Sequence, residues 1–267
     1  LFFVSFAFFS YFWGINLVLR KMKTILSKTI EPSEIDFSID TTVFSIGNIF
    51  MQAAMVDSRS KKMDVETLLK RGLTWVSLRI YIKVNRFPHN EEDITVETWV
   101  ESCSRLATQR NCTMRDAQGN SLVDITSMWS LLDFNTRRPT NILEQLPEFP
   151  EKFVLNEPSV IRQPEKVFPP TNPVCVGTHK VLYSDLDCNM HVTSFHYVLW
   201  VMDTISLDEY KEKAITEAEI NFIKECRYGE TVSLYREDIS ENEAVFEIRN
   251  AEGEVLNRQR MVFSKRK

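Results

Sequence analysis

Glycine is scarce in this chain, with seven among 267 residues. A phosphate-cradling loop needs glycines clustered at a strand-to-helix turn, and no such cluster occurs. Cysteine appears five times (Cys103, Cys112, Cys175, Cys188 and Cys226) but never as a C-x-x-C pair. An odd, scattered set argues against a disulfide framework and a structural zinc site, and favours a reducing compartment. The four histidines, His89, His179, His191 and His196, fall into no recognised ligand spacing, so neither metal nor cofactor is expected. Basic excess is missing too. A net charge of −5 offers little to neutralise a phosphate backbone, which argues against a nucleic-acid partner.

Long hydrophobic runs are confined to the start. Residues 1–19 carry no charge, are dominated by Phe, Leu and Val, and precede Arg20, Lys21 and Lys23. That length just reaches a membrane span, with the positive flank on the C-terminal side. A secretory signal would carry its positive charge first and end in small residues. Met22 opens a sequence of ordinary soluble composition. Residues 1–21 therefore read as upstream sequence from a mistaken start, with a membrane anchor as the alternative, and the remainder as a cytoplasmic protein.

Proline is unevenly placed: eight of the ten lie between Pro139 and Pro173. With few periodic apolar positions, residues 141–173 read as an extended connection between halves at 30–140 and 174–267. Each half repeats one order of elements. In the first, Val43, Ile46, Phe50 and Ala53 mark a helix with Thr41 or Thr42 at its cap. Strands are predicted at Thr74–Val84, Thr95–Glu101, Thr108–Arg115 and Ser121–Phe134. In the second, a strand at Val174–Leu182 precedes a helix marked by Phe195, Leu199, Met202 and Ile205, capped by Thr193 or Ser194. Strands follow at Glu219–Ile223, Thr231–Arg236, Ala244–Ile248 and Val255–Phe263. The connections Arg115–Asn120 and Arg249–Glu254 resemble one another, each with a glycine late in the turn. The expected class is α+β: a long helix wrapped by a curved antiparallel sheet, twice over.

One stretch concentrates the chemistry. Asp187, Asn189 and His191 stand at spacing two immediately before the second helix. Alternate residues of an extended run point the same way, towards a helix start where backbone N–H groups gather. Such a set can polarise a carbonyl and activate a nucleophile. Taken singly, Asp187 and Asn189 could equally form turn and cap bonds, with His191 packed beside them.

The run Tyr183-Ser184-Asp185-Leu186-Asp187-Cys188-Asn189-Met190-His191-Val192, with Tyr197 and Trp200 behind it, resembles the signature of acyl-acyl-carrier-protein thioesterases. The first half matches at Leu73-Thr74-Trp75-Val76, at Val96-Glu97-Thr98-Trp99-Val100, and at Trp129 followed by Thr136-Arg137-Arg138. Glu225-Cys226 resembles the family's second catalytic segment, and the likeness runs from about residue 35 to the C-terminus. The resemblance implies tandem hot-dog domains that hydrolyse the thioester between a fatty acyl chain and acyl carrier protein. It implies no cofactor and leaves a homodimer possible. Where the family usually has two asparagines after the His-Val pair, this chain has Thr193 and Ser194, both able to cap a helix. No transit segment rich in Ser and Arg precedes the domain, which points to a bacterial-type member.

On that reading Asp187, Asn189, His191 and Glu225 form one hydrogen-bonded network. His191 titrates near neutral pH, and Glu225 either activates water or orients His191. Asp187 is either a nucleophile forming an anhydride or a positioning group. Asn189, with N–H groups near Val192 and Thr193, holds the thioester carbonyl. Cys226 is the runner-up nucleophile in a papain-like arrangement, although adjacent Glu225 and Cys226 on a strand end would face opposite ways. The first half lacks an Asp-x-Asn-x-His run, its matching region reading Ile39-Asp40-Thr41-Thr42-Val43-Phe44. It is expected to supply an acyl pocket lined by Ile49, Met51, Ala54 and Met55, with ordinary core packing as the alternative. Acyl carrier protein, being acidic, would dock on a basic cluster: Arg59 with Lys61 and Lys62, Lys70 with Arg71, or Arg137 with Arg138. The rival functions are an acyl-CoA thioesterase of the smaller hot-dog type and a non-catalytic acyl-binding module.

Overall fold

The computed structural model describes residues 22–266. Residues 1–21, read above as upstream sequence or an anchor, lie outside the described residues. Among those described, no helix is long and apolar enough to cross a membrane.

Ten strands follow in chain order: β1 (Thr24–Thr29), β2 (Leu73–Val84), β3 (Asp93–Cys103), β4 (Thr108–Arg115), β5 (Ser121–Asp133), β6 (Val174–Lys180), β7 (Lys213–Phe222), β8 (Thr231–Ser240), β9 (Glu243–Arg249) and β10 (Val255–Lys265). They form one sheet in the order β1-β3-β4-β5-β2-β7-β10-β9-β8-β6. Read from either edge, the halves present their strands in the same order, so the duplication is visible in the topology. The halves join where β2 pairs antiparallel with β7, Arg79 opposite Asn221 through Lys83 opposite Glu217. The paired hairpin turns also match. Gly119 (φ 84°) donates to Asp116 O at 3.0 Å, and Gly253 (φ 79°) donates to Asn250 O at 3.1 Å. Both need the left-handed conformation that glycine adopts without a Cβ clash.

Each half wraps its sheet around a helix, α1 (Val43–Ser60) in the first and α5 (Ser194–Met202) in the second. The Thr42 hydroxyl accepts from Ser45 N at 3.1 Å, the cap bond its position predicts. Thr193 occupies the equivalent position on α5 but makes no side-chain cap bond. Ile46 and Phe50 from α1 and Phe195 and Val198 from α5 share one buried cluster with Ile80, Ile82 and Ile220. Its members come from both halves, so the core is continuous across the seam. The helices meet at Gly47, where an added Cβ would lie 2.0 Å from the Phe195 ring.

The connection differs from the extended segment expected. It folds into α3 (Ile142–Gln145) and α4 (Phe149–Phe153), and Phe149 and Phe153 pack with Met63, Leu68 and Leu131 in a second apolar cluster. Their spacing of four places both aromatic rings on one helix face. Residues 154–173 then strap the sheet. Trp99 Nε1 donates to Glu157 O at 2.7 Å, Thr126 Oγ1 to Arg162 O at 2.8 Å, and Val167 N to Asn221 Oδ1 at 2.8 Å. Two further short helices among the described residues are α2 (Val65–Leu69) and α6 (Leu207–Glu212).

Alanine in a helix interior normally stabilises by about 1 kcal/mol over glycine. At Gly47 the sign inverts, because the new methyl must displace a fully buried ring. Gly47→Ala is expected to destabilise the fold by about 1–3 kcal/mol, measured by denaturant unfolding. A stabilised variant would show that the helices do not pack this closely.

Candidate active site

The segment carrying Asp187, Asn189 and His191 is a tight turn rather than an extended run. Leu186 bridges Val192 across it, and Asp187 N donates to His191 O at 2.8 Å. Met190 takes φ 63°, a left-handed value uncommon for a side chain of its size. Asp187 organises the turn from within. Its Oδ1 accepts from Asn189 N at 2.8 Å and His191 N at 3.1 Å, and its Oδ2 from Asn189 Nδ2 at 3.3 Å. The spacing of two thus serves an Asp-centred turn that gathers the next residues around one carboxylate.

Glu225 follows β7 and reaches the same place. Its Oε2 lies 3.4 Å from His191 Nε2, and the backbone of His191 bridges Arg227. Arg137, from the turn after β5 in the other half, grips the same carboxylate with Nε at 3.2 Å from Oε2 and with Nη2 on Oε1. This arginine, expected within a surface docking cluster, is partly buried and turned inward. Among the other candidate docking cations, Lys61 pairs with Asp57, Lys70 with Glu66 and Arg71 with Glu148. Burial first, then the positive charges of Arg137 and Arg227, holds the His191 imidazole below its ordinary value of 6.5 against the pull of Asp187.

Three buried polar atoms here have no hydrogen-bond partner: Asn189 Oδ1, His191 Nδ1 and Arg137 Nη1. Such atoms are rare in folded proteins because each forfeits its solvation. The three residues share the wall of one cavity of about 910 Å³, a size that suits a small-molecule site. Of the four residues expected to line an acyl pocket, Met51, Ala54 and Met55 do so. Ile49 does not, because it faces the opposite flank of α1 and is 3% exposed within the core. Trp75 and Trp129, which carried the resemblance but no pocket role, supply further apolar wall together with Phe149.

Two further expectations meet a different geometry. The Val192 and Thr193 N–H groups, expected to hold a carbonyl, are already engaged, donating to Cys226 O at 3.1 Å and Asp185 O at 2.8 Å. Cys226 is fully buried and its thiol donates to Glu230 Oε2 at 3.0 Å. Burial and that carboxylate push the thiol up to about 12, so a thiolate is scarcely populated near neutral pH.

Sequence reasoning missed Asp185. Its buried carboxylate accepts from Leu182 N at 2.7 Å, His179 Nε2 at 2.9 Å, His196 Nδ1 at 2.9 Å and Trp200 Nε1 at 3.2 Å. It thereby ties the turn to β6 and α5. The signal was the repeated Asp-x-Asp at 185 and 187, in which a role was expected of Asp187 alone.

The first half keeps a copy of the turn, three residues earlier than the region matched by sequence. Ile35 bridges Thr41, Asp36 N donates to Asp40 O at 3.0 Å, Ser38 N donates to Asp36 Oδ1 at 2.7 Å, and Ile39 takes φ 64°. Thr41 N donates to Pro88 O at 2.9 Å, as Val192 N does to Cys226 O. Asp36 therefore stands in the place of Asp187, Ser38 of Asn189, Asp40 of His191 and Phe87 of Glu225.

A duplicated helix-in-sheet fold with one acid/base cluster on an apolar cavity defines a double hot-dog protein of the thioesterase type. The chain belongs to the acyl-ACP thioesterase family: its N-terminal domain matches residues 23–149 and its C-terminal domain residues 173–265. Among solved structures, an acyl-ACP thioesterase from Bacteroides thetaiotaomicron is 28% identical, covering 91% of this chain and 98% of that one, with a TM-score of 0.81. The 12:0-ACP thioesterase from Umbellularia californica shares the fold with a TM-score of 0.82 at 19% identity, covering 95% of this chain and 100% of that one. Oleoyl-acyl carrier protein thioesterase 2 from Arabidopsis thaliana is 24% identical over 85% of this chain, which spans 66% of that relative's length.

The Asp185 carboxyl generates a pH prediction. Burial would raise it, but the hydrogen bonds from His179, His196, Leu182 and Trp200 outweigh burial and hold it at about 2, below the ordinary 3.8. A depressed folded-state value contributes stability above the unfolded value that is lost as pH falls through the folded one. That contribution is about 2 kcal/mol, present above pH 3.8 and gone below about pH 2. Asp185→Asn should lower stability at neutral pH and flatten its decline across that acid window, as read by denaturant titrations. An unchanged acid slope would mean that another group carries it.

Proposed function

We propose that the protein hydrolyses the thioester of fatty acyl-ACP, releasing a fatty acid and the carrier's free thiol. The observation that carries this reading is the pair of unpartnered acceptors, Asn189 Oδ1 and His191 Nδ1, on an apolar cavity wall. Two acceptors suit a water molecule, which has two protons to donate. Asn189 has its orientation fixed because its Nδ2 donates to a carboxylate, which only accepts.

The roles then follow from the contacts. His191, neutral near physiological pH, takes a proton from water as the oxygen attacks the thioester carbon. Glu225 orients the imidazole through Nε2 and balances the charge that His191 gains. The tetrahedral intermediate collapses with cleavage of the C–S bond, and the sulfur recovers the proton from His191. Asp187 acts as a positioning residue, since both its oxygens are occupied by the turn. Cys226 supports the turn through its carbonyl and plays no part as nucleophile. The cavity beside Met51, Ala54 and Met55 takes the acyl chain, at about 0.8 kcal/mol for each methylene removed from water.

Steady-state hydrolysis of acyl-ACP and acyl-CoA substrates tests the reading, with the carrier-bound substrate expected to turn over faster. His191→Ala should lower kcat by roughly 10²–10⁴. Activity should persist as pH falls through the usual histidine value of about 6.5 and fail only below it, because the base is needed neutral and its value is depressed. Cys226→Ala and Cys226→Ser should both turn over near normally. Loss of activity in both cysteine variants with intact folding would establish thiol catalysis instead, and full acyl release by His191→Ala would remove the network altogether.

A further inference from the structure

We propose that Arg137 is a catalytic residue supplied by the half that lacks the acid/base set, its Nη1–H donating to the thioester carbonyl oxygen as negative charge develops there. The proposal rests on the hydrolytic reading above. Hydrolysis at this site needs acceptors for water and a donor for the carbonyl oxygen, and the candidates for the second role are few. The Val192 and Thr193 N–H groups are engaged by Cys226 O and Asp185 O, and Asn189 Nδ2 by Asp187. Arg137 Nη1 is buried, has no partner, and belongs to a residue on the cavity wall beside the two free acceptors.

The guanidinium is also held in place. Its Nε and Nη2 grip Glu225 in a fork, which fixes the plane of the group and so the direction of Nη1. The backbone beneath it is built for the purpose. Arg137 takes φ 55° in a turn where Asp133 Oδ1 accepts from Asn135 N at 3.1 Å and Thr136 N at 2.7 Å, and Arg137 N donates to Asp133 O at 2.9 Å. A left-handed residue other than glycine persists only where its surroundings enforce it, and such residues gather at functional sites.

The first half supplies the comparison. Arg266, just past the end of β10, enters the copied turn there as Arg137 enters the active one. Each of its three nitrogens has a partner: Nε donates to Tyr210 O at 2.6 Å, Nη1 to Ser38 Oγ and Nη2 to Asp36 Oδ2 at 2.9 Å. The space around it amounts to about 20 Å³. An arginine that crosses to the turn has every nitrogen engaged where histidine and glutamate are replaced. It keeps a free donor where they remain.

In the reaction, the water oxygen bonds to the carbonyl carbon while its proton passes to His191. The carbonyl π pair moves onto oxygen, where Arg137 Nη1–H receives it. That pair returns as the C–S bond breaks and the sulfur takes the proton from His191. Arg137 stays protonated throughout.

The test compares wild type with Arg137→Gln and Arg137→Ala, using acyl-ACP hydrolysis across pH, thermal unfolding, and added methylguanidinium. Arg137→Gln should lose about a hundredfold in kcat with little change in KM. Its acid limb should move to higher pH, because His191 then faces Asp187, Glu225 and Arg227 without the cation that holds its value down. Methylguanidinium should restore part of the kcat of Arg137→Ala. A folded Arg137→Gln with kcat within about threefold of wild type would overturn the proposal. So would a loss that shows neither rescue nor a shifted acid limb, since that marks a brace between halves. Failure of wild type to release acid from acyl-ACP would instead sink the hydrolytic reading, whereas a dead His191→Ala beside a normal Arg137→Gln would sink this one alone.

Discussion

Pairing of β2 with β7 over Arg79–Lys83 and Glu217–Asn221 makes one sheet of two halves, and the site exists because of that register. Glu225 lies a few residues beyond β7 and Arg137 a few beyond β5, which flanks β2, so the seam brings them within hydrogen-bond reach. Side-chain period in a strand is two, so a slip of one residue would send every seam side chain to the other face. The register is pinned by groups that tolerate no such slip. Tyr81 Oη donates to Glu217 at 2.9 Å, and Arg162 from the strap lies 3.8 Å above the Tyr81 ring while pairing with Glu219 at 2.5 Å. Glu219 is 3% exposed, and leaving it without Arg162 would strand a buried charge at a cost of about 3–5 kcal/mol. The proline-rich strap is therefore part of the lock on the seam.

The two halves show how little backbone had to change for their sites to diverge. Both turns are closed by the same pair of main-chain bonds, both use an aspartate to collect N–H groups, and both place a bulky residue at φ near 63°. The differences lie in what the frame displays: Ser38, Asp40 and Phe87 against Asn189, His191 and Glu225. A phenylalanine in place of the glutamate removes the partner for an imidazole and for a cross-half arginine at once. In the first half Arg266 pairs with the aspartate of the frame and lines its small recess.

Much of this was legible in the residues. The apolar period of Val43, Ile46, Phe50 and Ala53 locates α1, and the two glycine-bearing turns point to the duplication. What the sequence hid has physical reasons. In β1 every second residue is exposed, and Thr24–Thr29 offers polar Lys and Ser where a half-buried strand would advertise itself with apolar residues. Proline density masked α4, whose Phe149 and Phe153 carry the helical signal in only two positions. The grouping of Asp187, Asn189 and His191 was plain, but its geometry was not, because the left-handed residue that folds the turn is Met190 rather than glycine or asparagine. Arg137 looked like one more surface cation, since nothing local reveals that a turn with φ 55° points it inward. Ile49 and Met51 are both apolar, and only the packing of α1 against α5 decides which of them meets the core.

Charge accounting explains why the parts come from both halves. An imidazole that acts as a base must be neutral at working pH yet able to bear charge for an instant. Burial and the Arg137 and Arg227 cations favour the neutral form, while Asp187 and Glu225 stand ready to stabilise the charged one. Glu225 alone would favour the charged imidazole, and Arg137 offsets it by holding the same carboxylate. Arg227 supplies one cation from the second half, but the one that grips Glu225 comes from the first: the carboxylates and imidazole follow β6 and β7, while Arg137 follows β5. Fusion in one chain keeps the arginine at a fixed distance from its partners at any protein concentration, which a separate subunit could not guarantee.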